Sequence, residues 1–305
     1  MNSDLVAQLN ADFALHRDDN RLRFVASAGG MPFIEILNQN ACATISLQGA
    51  HLLSWQPTGE SDVLWLSGTA VFAPGKAIRG GVPVCWPWFG NHATVRDYPA
   101  HGFARTANWQ VIATNILANG DTVIDLRLDT SLLNDDVQAM WPTPTVLDYR
   151  MTIGKTLSLS LMTCNEADDV ITVTQALHTY FAINDIRQTM VTGLDGLDYL
   201  DKTEGFARKT QQGAVKFAAE VDRVYLQSRD PLIIDDGRRR IRVDNIGSRT
   251  TVVWNPWQKA AERMADMDSN GYRKMVCVES ANAADDVVTL DSGECHTLTT
   301  NYTLV

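Results

Sequence analysis

Segments in which every second residue is apolar recur from Thr44 to the end of the chain. Ile45 and Leu47, then Ile124, Leu126 and Leu128, then Leu157, Leu159 and Leu161 follow this period of two. Ile171, Val173 and Leu177, Ile241 and Val243, and the closing HTLTTNYTLV repeat it. Successive side chains of a strand point to opposite faces, so these segments specify half-buried strands. Between them lie Asn119-Gly120-Asp121, Asp236-Gly237 and Asp291-Ser292-Gly293, which favour left-handed or tight-turn backbone and permit antiparallel reversal. Helical spacing is confined to two places. Leu5, Leu9 and Phe13, following Ser3 as an N-cap, predict a short opening helix, and a second is expected from Gln258 to Met267. Many strands without regular strand–helix alternation predict an all-β fold, a large antiparallel β-sandwich with a few short helices. No repeat or Pro/Gly/Ser linker divides the sequence, so residues 1–305 are expected to form a single domain.

A chain of 305 residues that is 45% hydrophobic can bury a substantial core. Its 36 acidic and 26 basic residues give a formal charge of -10, which argues against broad binding to nucleic acid or anionic membranes. An anionic ligand would need a local arginine site. The N-terminus lacks a basic start followed by an apolar run, and no segment approaches the roughly 20 apolar residues of a membrane-spanning helix. Five scattered cysteines, Cys42, Cys85, Cys164, Cys277 and Cys295, show no CxxC spacing. Neither a disulfide framework nor a zinc site is expected, and a soluble protein of a reducing cytoplasm is.

GxSxG, GxGxxG and HExxH are all absent, which removes support for three large enzyme classes. Pro74-Gly75-Lys76 lacks the flanking residues of a phosphate-binding loop and is expected to be an ordinary loop. Arg238 to Arg240 with Arg242 reads as a solvated strand edge. The segment RGGVPVCWPWFG, Arg79 to Gly90, joins two glycines and two prolines to Trp86, Trp88 and Phe89; HGFAR, His101 to Arg105, follows. The aromatics either fill the core or shape a site. In VITVTQALHTYF, alternation puts Thr172, Thr174, Ala176, His178 and Tyr180 opposite Ile171, Val173, Leu177 and Phe181. In KMVCVESANA it puts Met275, Cys277 and Glu279 opposite Val276 and Val278. By residue type alone, His178 is a hydrogen-bonded structural histidine or a catalyst, and Glu279 a solvated terminus or a desolvated group.

In this order RGGVPVCWPWFG, HGFAR, ALHTYF, EVDRVY (Glu220 to Tyr225) and VCVESANA resemble the glucose-6-phosphate 1-epimerase branch of the aldose 1-epimerase, galactose mutarotase-like superfamily. The resemblance spans about the whole chain. It implies a β supersandwich whose concave face holds the sugar, and chemistry by a histidine and a glutamate without metal or nucleotide cofactor. By motif these are His178 and Glu279. The resemblance further implies phosphate binding by Arg79 and Arg105, a substrate contact at His101, and Asp222 near the sugar hydroxyls. Galactose-acting members carry a longer histidine cluster before the HG pair, where this chain has Ala100. Neutral-sugar specificity is therefore not carried over.

The expected reaction interconverts the α and β anomers of glucose 6-phosphate or a related hexose 6-phosphate, in a monomer. Glu279 as carboxylate would take the C1 hydroxyl proton and His178 as imidazolium would protonate the ring oxygen. Reference pKa values of roughly 4.3 and 6.5 then give a bell-shaped pH profile. The rivals are an epimerase of unphosphorylated aldoses, a noncatalytic sugar-phosphate binding module, and a chain in which both residues are structural.

Overall fold

A computed structural model of the chain describes all residues except 1, 18, 19 and 28, with the backbone alone at 2 and 17. Among the described residues the strands form antiparallel sheets of nine, eight, five and two strands. The five-stranded sheet runs in sequence order from Leu15–Arg17 to His51–Pro57. The nine-stranded sheet is centred on Arg240–Ile246, Cys295–Leu304 and Thr156–Asn165. The eight-stranded sheet places Val221–Leu226, Thr250–Asn255, Met275–Asn282 and Gln175–Leu177 side by side.

The period of two explains how these sheets pack. Ile124, Leu126, Leu157, Leu159, Leu161, Ile241 and Val243 are all buried from the nine-stranded sheet; Val253, Val276 and Val278 meet them from the eight-stranded one. Each fully buried side chain of this kind stabilises the fold by about 1.5–3 kcal/mol. Polar contacts also bridge the sheets: the Thr179 and Tyr302 hydroxyls are 2.6 Å apart, and Ser280 Oγ donates to Asn245 Oδ1 at 2.5 Å. With alternate residues spent on this core, the other face of the eight-stranded sheet is left to Asp222, Trp254, Cys277, Glu279 and Tyr180.

Several local expectations are revised. The opening helix spans Asn2–Phe13, but Val6, Leu9 and Phe13 pack against the core while Leu5 is exposed. The second helix stops at Ala261 after five residues, and turns carry the chain on through Asp266. Arg240–Ile246 is an internal strand rather than an edge, with Arg240 and Arg242 exposed on its outer face. Cys164 and Cys295, expected to be free, form a disulfide. They are directly opposite one another in neighbouring strands, a proximity that a sequence separation of 131 hides. Cys42, Cys85 and Cys277 are free. Among the described residues no helix is long and apolar enough to cross a membrane.

The double glycine after Arg79 has a steric cause. Gly81 has φ +60°, and a Cβ there would lie 2.2 Å from the Leu52 carbonyl oxygen. Gly81→Ala is expected to destabilise the protein by roughly 2–4 kcal/mol, through left-handed strain and backbone displacement. Denaturant unfolding at equilibrium measures this, and an unchanged midpoint would contradict the close approach.

Candidate active site

Strand register brings together the two residues that sequence separates by a hundred positions. Leu177 lies opposite Ser280 and Tyr180 opposite Cys277, and the same register carried between them sets His178 opposite Glu279. The His178 amide donates to the Pro83 carbonyl at 3.0 Å and the Tyr180 amide to that of Gly81 at 2.9 Å. The RGGVP segment thus runs along the other side of the histidine strand. His178 Nε2 and Glu279 Oε1 are 3.2 Å apart, and Glu279 is 1% exposed. His178 Nδ1 and Glu279 Oε2 are buried without a hydrogen-bond partner in the protein.

Burial dominates the protonation of this pair. It pushes the Glu279 carboxyl well above its ordinary range, with Lys202 opposing and Asp222 reinforcing the shift. It pushes the His178 imidazole well below its ordinary range, helped by His101, Arg105 and Arg79. The doubly protonated pair is a buried cation and the empty pair a buried anion, so desolvation disfavours both. The pair therefore holds one proton and no net charge. A carboxylate–imidazolium ion pair is the other arrangement of that same proton, one transfer away along the 3.2 Å contact.

The surrounding side chains fix the imidazole. The Tyr180 ring stacks on His178 at 4.8 Å with an interplanar angle of 16°, and Trp254 approaches its edge at 6.0 Å. Arg79 donates to the Tyr180 hydroxyl at 3.0 Å and pairs with Asp266 at 3.2 Å. Asp266 is held in turn by its own carbonyl, which accepts from Ser67 Oγ at 2.7 Å. Arg79 therefore reaches His178 through Tyr180.

His101 lies beside the pair, its ring 5.6 Å from that of His178 and 5.0 Å from Phe89. Burial, then Arg105, Lys202 and Arg79, push its pKa down to about 3, so it is a neutral imidazole. Its Nδ1 accepts from the Gly90 amide at 3.3 Å. The turn it starts needs glycine next, since a Cβ on Gly102 would fall 1.9 Å from the Trp86 carbonyl oxygen. Arg105 closes the turn by donating to the Ala100 carbonyl at 2.6 Å. Asp222, on the same sheet face, accepts from Lys202 Nζ at 2.9 Å through Oδ2, while its buried Oδ1 has no partner. Burial raises the Asp222 pKa, and Lys202 partly offsets the rise.

All six candidate residues thus gather on or beside one sheet face. Tyr180 and Cys277 share the predicted face with His178 and Glu279, but alternation gave them no role. Lys202 and Asp266 were missed because they come from turns, where no periodicity marks them. His178, Cys277 and Glu279 each present one potential metal-ligand atom, all within 4.8 Å of one another. Burial raises the Cys277 thiol well above 9.0, so a metal would have to displace both its proton and the one shared by the pair.

Comparison with known proteins gives the family and the fold. The family model for aldose 1-epimerase matches residues 32–303. The chain belongs to the aldose 1-epimerase family. It is 40% identical over 246 residues to an Escherichia coli protein named "putative glucose-6-phosphate 1-epimerase", covering 80% of each chain. A Cenchrus ciliaris protein of the same name is 36% identical, with 84% of this chain and 79% of that one covered. Among solved structures, the "putative mutarotase" YeaD of Salmonella typhimurium has a TM-score of 0.85 at 31% identity over 99% of both chains. A galactose mutarotase-like protein from Clostridium acetobutylicum, 12% identical, has a TM-score of 0.72 over 95% of this chain and 99% of that one, and shares the fold. The expected supersandwich is the observed architecture.

The one-proton pair has a spectroscopic consequence. An ordinary histidine is largely charged at a pH one unit below ~6.5. Ring-nitrogen NMR of the free protein at that pH is expected to show His178 still neutral; an imidazolium spectrum would contradict the dominance of burial.

Proposed function

We propose that the chain interconverts the α and β anomers of a hexose 6-phosphate, glucose 6-phosphate first among them, by acid–base ring opening. The observation that carries this is the buried contact between His178 and Glu279 on a sheet face that also carries Asp222. The names carried by the relatives supply the substrate class.

Mutarotation removes a proton from the C1 hydroxyl and delivers one to the ring oxygen. C1 then rotates and the ring closes on either face. With the shared proton on His178, Glu279 is the carboxylate base and His178 the acid; closure reverses the roles. Substrate replaces the direct contact between the two residues, and the site needs neither gain nor loss of a proton over the cycle. Each positioned proton transfer contributes ~10² to 10⁴-fold. Neutral His101 suits hydrogen bonding to the sugar, and the unpartnered Asp222 Oδ1 suits accepting from a hydroxyl. Arg105, with no carboxylate partner among the described residues, is a phosphate ligand; Arg79, paired with Asp266, serves the site mainly by holding Tyr180.

On this reading residues 1–305 work as one mutarotase-like unit, a cytoplasmic monomer that binds neither nucleic acid nor membrane. Its continuous core and its substrate, a doubly charged metabolite retained inside cells, support that placement. A reducing compartment would hold Cys164 and Cys295 as thiols, leaving their two ten-residue strands joined by the backbone ladder.

Magnetisation-exchange NMR between the anomers of glucose 6-phosphate tests the reading. The protein should accelerate exchange, and Glu279→Gln should reduce the rate by at least ~10²-fold without loss of fold. No acceleration of glucose 6-phosphate would refute the activity, and wild-type turnover by Glu279→Gln would remove that residue from it. Arg105→Ala should raise KM for glucose 6-phosphate about ten- to a hundred-fold, much more than for free glucose. An equal effect on both sugars would make Arg105 structural.

A further inference from the structure

The cations around the site are unevenly committed. Arg79 is neutralised by Asp266, and Arg105 is bound to a single carbonyl. The third is Lys202, whose side chain is 26% exposed. It begins the short turn Lys202–Glu204 directly after the strand Asp198–Asp201, in the eight-stranded sheet. Asp201 anchors that turn, since its buried carboxylate accepts from the Thr203 amide and hydroxyl and from Lys209 Nζ. The turn projects Lys202 over the Phe89 ring, with Nζ 5.7 Å from the ring centroid. Beneath it is a cleft of ≈ 540 Å³ also lined by Phe89, His101, Thr174 and Phe206.

A lysine Nζ has three donors, and one here goes to Asp222 Oδ2. No other hydrogen bond from it occurs among the described residues, so two donors of this cleft-lining residue are left without a protein partner. Lys202 lines the same cleft as His101, and Arg105 closes the turn that carries His101 by donating to the Ala100 carbonyl. A 6-phosphate is attached only a few bonds from the ring oxygen that His178 must protonate. Its oxygens must therefore fall close to His178, where His101 already sits at 5.6 Å. A phosphate dianion in a half-buried cleft needs more than the one uncommitted arginine to offset its desolvation.

We propose that Lys202 is a second phosphate ligand, taking the 6-phosphate together with Arg105 beside His101. Asp222 positions it: Oδ2 keeps one donor of Nζ and aims the other two at the phosphoryl oxygens. The assignment rests on the proposed hexose 6-phosphate activity, yet its test does not depend on turnover.

Calorimetric titration of the whole protein with inorganic phosphate, and separately with glucose 6-phosphate, supplies that test. Lys202→Met should weaken both ligands about ten- to a hundred-fold, the loss of a charge-assisted bond, and Lys202→Arg should recover most of the difference. The double variant Lys202→Met with Asp222→Asn leaves no orphaned carboxylate and should show the same loss of phosphate binding if the single variant is poorly folded. Inorganic phosphate affinity unchanged in either folded variant would overturn the proposal. So would weakening confined to glucose 6-phosphate, which would mark Lys202 as a support for Asp222 on the sugar side, and so would a wild-type protein that binds no phosphate. Phosphate binding without anomer exchange would instead defeat the proposed reaction and leave the Lys202 site standing.

Discussion

A histidine and a glutamate, 3.2 Å apart and buried on one face of a β-sheet, set the terms for the rest of this molecule. Neither side chain can be charged alone there at small cost, because desolvation works against an isolated imidazolium as strongly as against an isolated carboxylate. Sharing one proton resolves both penalties. The same arrangement is what ring opening asks for, an acid and a base of equal total charge before and after the reaction. The two groups are held opposite one another by the backbone register of strands Gln175–Leu177, Tyr180–Ala182 and Met275–Asn282, not by a flexible loop.

That register depends on the core behind it. Val276 and Val278 alternate with Cys277 and Glu279, so slipping the strand by one residue would turn the carboxylate between the sheets and put two valines in the site. The loops in front depend on it too. The RGGVP segment hydrogen-bonds along the histidine strand, and its glycines let the backbone pass against Leu52 and Trp65. From there Arg79, fixed by Asp266, reaches the Tyr180 hydroxyl, and the Tyr180 ring covers His178. Packing behind and stacking in front hold the plane of the imidazole.

Much of this was legible in the sequence, because a period of two reports both strand and face. Alternation put Ile171, Val173, Leu177 and Phe181 on one face and Thr172, Thr174, Ala176, His178 and Tyr180 on the other, and the first four lie in the main core. It also separated Glu279 from Val276 and Val278. What it could not supply is which strands are neighbours. Hence the Cys164–Cys295 bond went unseen, and the Arg238–Arg242 run was assigned to an edge when its strand is internal. Residues from turns, such as Lys202 and Asp266, carry no periodic signal at all. Protonation was hidden for a further reason: reference pKa values describe solvated groups, and burial moves His178 and Glu279 in opposite directions.

The pH dependence of kcat/KM for glucose 6-phosphate, which reports the free enzyme, tests this account most directly, with allowance for the second ionisation of the phosphate near ~6. With the His178 pKa lowered and the Glu279 pKa raised, the pair gains a second proton only below the depressed value and loses its last only above the raised one. An acid limb displaced to lower pH by the depressed His178 and a basic limb displaced to higher pH by the raised Glu279, with a plateau between them, is the predicted result. A narrow bell whose limbs fall at the solution values of roughly 4.3 and 6.5 would show two solvated, independently titrating groups, and would contradict a buried pair that shares one proton.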